Sequence, residues 1–110
     1  TFADEANGEL TEEEITAKRI QAAEAIRTEA LELERIGAYG KAKELLAIAA
    51  HSGDSAAMEH YARHWLIAGA KDPARYWLQK CVDTGNAGEY TTKTLRRLKW
   101  HLRVRASYLK

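Results

Sequence analysis

GAYGKAKELLAIAAHSG, residues 37–53, and GAKDPARYWLQKCVDTG, residues 69–85, are two copies of one pattern. A slide of 32 residues lays Gly37 on Gly69, Ala38 on Ala70, Ala42 on Ala74, Leu46 on Leu78 and Gly53 on Gly85. Just past the match, Asp54 falls on Asn86, both good helix-capping residues. A fixed period of this size marks stacked helical hairpins, each too thin to bury its apolar face alone. The stretch from Gly37 to Gly85 therefore decides the fold, and the rest of the chain is read around it.

Upstream, Thr11-Glu12-Glu13-Glu14 has the form of a capping box, with three acids at the positive end of a helix dipole. No Gly or Pro follows before Gly37, which predicts one long helix. It carries two apolar stripes at roughly 100° per residue: Ile15, Ala22, Ile26 and Leu33 on one side, Ile20 and Leu31 on the other. The long helix should overhang its shorter neighbours, which leaves Ile15 and Ile20 exposed for a partner, with Leu31 buried.

Three shorter helices follow. One runs from about Lys41 to Ser52, with Ala42, Leu45, Leu46, Ala49 and Ala50 inward. The next is capped by Asp54 or Ser55 and closed by Gly69. The third is read with Asp72 as N-cap and Pro73 at its first position, where a missing amide costs nothing. Trp77, Leu78, Cys81 and Val82 form its core side. A last helix, capped by Asn86 or Thr91, carries Leu95, Leu98, Leu102, Ala106 and Leu109 at helical spacing. The expected architecture is all-α: a short α-solenoid of two hairpin repeats flanked by a long N-terminal and a C-terminal capping helix. Residues 1–10 are expected to be a mobile lead-in, with 11–110 a single helical-repeat domain.

The run Asp72-Pro73-Ala74-Arg75-Tyr76-Trp77 through Lys80-Cys81-Val82 to Gly85-Asn86 resembles the second helix of a Sel1-like repeat, a relative of the tetratricopeptide repeat. The earlier copy matches through Ala42, Leu45, Ala49-Ala50 and Gly53-Asp54. The likeness covers residues 37–90. The period of 32 is shorter than that family's usual one, and the family's Leu-Gly stands here as Ala62-Arg63. The resemblance implies a bacterial-type protein-binding scaffold: an adaptor, a chaperone or a toxin-immunity protein. By the same analogy, the helix carrying His60, Arg63, His64 and Trp65 would line a partner groove.

No catalytic constellation is legible. Cys81 is the only cysteine and stands at an apolar repeat position, equivalent to Ala49. His60 and His64 share a face but have no third ligand at metal-site spacing. No serine elbow or phosphate loop is present. Neither an enzyme nor a bound cofactor or metal is expected. No stretch approaches the roughly 18 apolar residues of a membrane helix. A chain opening on Thr1 implies processing, a tag or a longer precursor, which leaves a cytoplasmic or a periplasmic setting open.

Charge is graded along the chain. Residues 1–36 carry ten acids and four bases, whereas 91–110 carry seven bases and no acid. Arg96, Arg97, Lys99, Trp100 and Arg103 interleave cations with an aromatic on the last helix. Soluble cations at the negative end of a helix dipole explain that pattern first. An acidic protein partner comes next, and a nucleic acid third. A homodimer pairing the basic helix with the acidic one is a further expectation.

Overall fold

The computed structural model describes residues 10–109, with side chains through Ser107. The expected lead-in up to residue 9 and the side chains of Tyr108, Leu109 and Lys110 lie outside the described residues. Among the described residues five helices follow one another: α1 (Glu12–Arg35), α2 (Tyr39–His51), α3 (Ser55–Ile67), α4 (Lys71–Asp83) and α5 (Glu89–Leu109). No strand occurs among the described residues. Each helix packs on the next, and α1 also touches α3.

The 32-residue register reappears in the helix ends. α1 and α3 stop at Arg35 and Ile67, while α2 and α4 span Tyr39–His51 and Lys71–Asp83. Behind each of these four ends stands a glycine with positive φ: 87° at Gly37, 102° at Gly53, 80° at Gly69 and 80° at Gly85. That left-handed conformation lets the chain turn back and satisfy its last carbonyls. At the end of α1, Gly37 and Ala38 donate to the carbonyls of Glu34 and Leu33 at 3.0 and 2.8 Å. At the end of α3, Gly69 and Ala70 donate to Leu66 and Trp65 at 3.0 and 2.9 Å. These are the same two bonds displaced by 32 residues.

The starts are less uniform. Thr11 caps α1, its hydroxyl accepting the Glu14 amide at 3.1 Å, and Asp54 caps α3, its carboxylate accepting the Ala57 amide at 2.9 Å. The expected cap at Asp72 is not formed. Ala70 is the N-cap of α4, so Asp72 and Pro73 lie inside its first turn, where Asp72 pairs with Arg75 at 3.1 Å. The turn at Gly69 is tight enough that the helix restarts at once, and a first-turn proline is tolerated there because its amide has no partner to lose. Likewise neither Asn86 nor Thr91 caps α5. The Gly88 carbonyl accepts the first helical bond from Thr92, and Thr91 is fully buried.

The core is built from small residues between helices and a few large ones. Ala30, Ala42, Ala49, Ala50, Ala57, Ala62 and Ala74 are buried, and they let the helix axes approach closely. Leu46, Leu78 and Cys81 fill the spaces between them. Trp77 lies against the edges of His51, Tyr61 and Tyr76, at centroid distances of 4.8, 5.4 and 5.3 Å. On α1 the buried positions are Ala23 and Ala30, whereas Ala22 of the expected stripe is exposed. The 24-residue α1 outruns the 13-residue α2. Its first three turns are accordingly exposed, Ile15 at 43% and Ile20 at 45%.

The same length mismatch corrects the last helix. Leu95 and Leu98 are buried, but Leu102 is 41% exposed and Ala106 is exposed. α5 runs 21 residues against the 13 of α4. At 1.5 Å per residue its later turns pass beyond the helix that covers its earlier ones.

Candidate partner-binding surface

Two long helices with uncovered halves leave two places where a partner could bind, and α3 offers a third. The α3 residues are spread over different neighbours. His64 is turned toward α1, its Nε2 3.4 Å from a Glu34 carboxylate oxygen. Alignment there is too poor for a hydrogen bond, and both His64 Nε2 and Glu34 Oε1 are buried without one. Trp65 is half-buried against α2, with Lys43 Nζ 3.8 Å above its ring and the Tyr61 ring at 5.7 Å. Arg63 is exposed and faces the other way, its guanidinium 5.5 Å from the Tyr90 ring of α5.

His60 is half-buried. Burial pushes its pKa below the ordinary value, and the Arg63 charge adds to the shift. Thus His64 and Trp65 lie against α1 and α2, and of the four only Arg63 is exposed. No group of three His, Cys, Asp or Glu side chains among the described residues could hold a metal ion. The Cys81 thiol is raised to about 11, first by burial and then by the nearby Glu59 carboxylate. At neutral pH it is a protonated donor, 3.4 Å from the Ser55 carbonyl.

The basic residues of α5 do converge. Arg96, Lys99, Trp100 and Arg103 line one wall of a cleft of about 500 Å³ between α4 and α5. Val82 of α4 and Leu95 of α5 give it an apolar lining, with Gln79 on the α4 side. Spacings of three, four and seven residues put all four α5 side chains on one helix face. Arg97 lies around the helix, beside Trp100, Arg96 and Lys93, in an adjoining concavity. Trp100 is 58% exposed, unlike the half-buried Trp65 and the buried Trp77.

This wall is electrostatically unbalanced. Lys93 is held by Glu89 at 2.9 Å, and Lys99 donates to the neutral Gln79 at 2.7 Å. Among the described residues no carboxylate pairs with Arg96, Arg97, Arg103 or Arg105. Cations gathered beside an apolar base attract an anionic group and orient it. The sequence marks the α5 half of this cleft. It does not mark Gln79 and Val82, which belong to another helix and are separated by the turn at Gly85.

Comparison with family models, with curated proteins and with solved structures finds no match. No helix among the described residues is long and apolar enough to cross a membrane.

Proposed function

We propose that this chain is a non-catalytic, protein-binding helical-repeat module: a short α-solenoid of two Sel1-like or tetratricopeptide-like hairpins that engages an acidic protein partner. The repeated helix ends support the repeat half of that reading. The observation that carries the binding half is the cleft between α4 and α5, where Arg96, Lys99 and Arg103 have no carboxylate partner among the described residues and surround an apolar base and an exposed Trp100. Charge-assisted bonds from guanidinium to carboxylate are the strong ones, and a desolvated aromatic beside them is the usual anchor of an interface.

A nucleic acid is the second reading, favoured by Trp100, whose exposed ring could stack on a base among phosphate-binding cations. A photo-crosslinking residue in place of Trp100 separates the two. Irradiation in cells should yield a protein adduct, and Arg96→Glu with Arg103→Glu should abolish it. A nucleic-acid adduct in place of the protein one would overturn the proposal. So would a protein adduct whose yield ignores both arginines.

A further inference from the structure

We infer that the occupant of the cleft between α4 and α5 is a single amphipathic acidic helix of the partner. It would lay an apolar side chain on Val82 and Leu95, with carboxylates on the same face meeting Arg96, Lys99 and Arg103. The inference rests on the protein-binding reading and goes beyond it by naming the partner's conformation and pattern.

Three observations carry it. First, the cleft is a furrow between two helices, walled by side chains. The backbone amides and carbonyls of α4 and α5 are spent within those helices, so an extended peptide would find no strand edge to pair with. A helix brings its own backbone bonds and offers the furrow a ridge of side chains.

Second, the cations have a helical spacing of their own. Arg96, Lys99 and Arg103 rise about 4.5 and 6 Å from one to the next along α5. A partner helix lying alongside matches that rise with Glu or Asp at i, i+3 and i+7. The same pattern leaves position i+4, about one turn from the first and last acids, for an apolar residue beside Trp100.

Third, the charge of the cleft is one-sided. All three cations that line it belong to α5, whereas α4 contributes the neutral Gln79 and Val82. In the adjoining concavity the acids Asp72 and Asp83 stand among Arg75, Lys80 and Lys99, and Asp72 is paired with Arg75 at 3.1 Å. A helix that is acidic on one flank only meets the α5 wall with its acids and turns a neutral flank to α4. One-sided charge therefore suits an asymmetric helix better than a uniformly anionic strand.

Synthetic peptides test this directly on the intact chain. The probe is an alanine-based peptide of about 18 residues with Glu at i, i+3 and i+7 and Leu at i+4, long enough to form a helix when bound. A scrambled peptide of equal composition and a version with a central proline are the controls. Anisotropy of a label on the peptide reports binding, and the part of the tryptophan emission that Trp100→Phe removes reports the cleft. The patterned peptide should bind about tenfold or more tightly than either control and shift the Trp100 emission. Arg96→Glu with Arg103→Glu should remove that advantage, and a peptide with Lys in place of Glu should restore it on the variant.

Equal binding of the patterned, scrambled and proline peptides would overturn the inference. If none binds while the crosslinker at position 100 still captures a protein through the arginines, the occupant is not a helix, and the protein-binding reading survives. Tighter binding of a single-stranded oligonucleotide than of any peptide would overturn both.

Discussion

Nη1 of Arg27 on α1 reaches both carboxylate oxygens of Asp54, at 3.3 and 3.1 Å, while the same carboxylate caps α3 through the Ala57 amide. One residue thus ends the turn after α2, starts α3, and fastens both to the first helix. The Asp54 side chain is 7% exposed and that of Arg27 25%. At that burial the pair is worth more than a surface ion pair, and removing one member strands the other.

Asp54→Ala should cost about 2–3 kcal/mol, combining a lost cap with an unpaired guanidinium. Arg27→Ala should cost less, about 1–2 kcal/mol, because the cap survives. A double-mutant cycle by urea titration checks this. Additive losses, with no coupling between the two sites, would mean that Arg27 does not hold α1 to the cap.

The glycines divide into two kinds. Gly53 has φ of 102° and Gly40, in the first turn of α2, does not have positive φ, yet a Cβ would meet nothing within 4 Å at either site. Space is therefore equal and only backbone conformation differs. Gly53→Ala should destabilise by about 1 kcal/mol, because a side chain is strained in the left-handed region. Gly40→Ala should instead stabilise by about 0.5 kcal/mol by restricting the unfolded chain. Shifts of the same sign in a thermal melt would contradict the assignment of Gly53 as a helix-ending residue.

Those glycines are also why so much of the fold is legible in the sequence. Gly37, Gly53, Gly69 and Gly85 punctuate the chain, and apolar spacing supplies the helices between them. What sequence reading lost is instructive. Ala23 carries the packing of α1, but an alanine adds little to an apolar stripe, so Ile15 and Ala22 draw the eye instead. Leu102 has the periodicity of a core residue, and only the length of α4 leaves it exposed. Bonds such as Thr91 Oγ1 to Glu59 at 2.5 Å join residues 32 apart through tertiary structure alone. The cleft was half legible for the same reason: its cations lie on one helix, its apolar base on two.

His60 gives the fold a pH dependence. Burial lowers its pKa from 6.5, and Arg63 and Arg27 reinforce the shift against the opposing Glu34 and Glu59. The folded chain therefore prefers the neutral ring, and below the ordinary value the unfolded chain binds more protons. This stabilisation is fully present above about pH 6.5 and is lost as pH falls through the lowered folded pKa. His60→Gln should flatten the decline in urea midpoint between about pH 7.5 and about pH 5. An unchanged slope in the variant would assign the dependence to another group.

Arg96, Lys99 and Arg103 sit at three- and four-residue spacings on α5, where like charges repel by a few tenths of a kcal/mol per pair. Within the described chain they find no acid to offset that repulsion. If the cations serve a partner, removing them should leave the fold intact or slightly firmer. Arg96→Gln with Arg103→Gln is expected to raise stability by up to about 0.5 kcal/mol, and added salt should shrink the gain by screening the charges in the parent. A structural role predicts the opposite sign, since guanidinium stems packed over Val82 and Leu95 would be lost. Urea titrations of parent and variant at low and high salt decide between them. A loss above about 1 kcal/mol would make these side chains part of the core's cover. A gain that fades with salt would leave binding as the reason such a concentration of charge is kept on one face of α5.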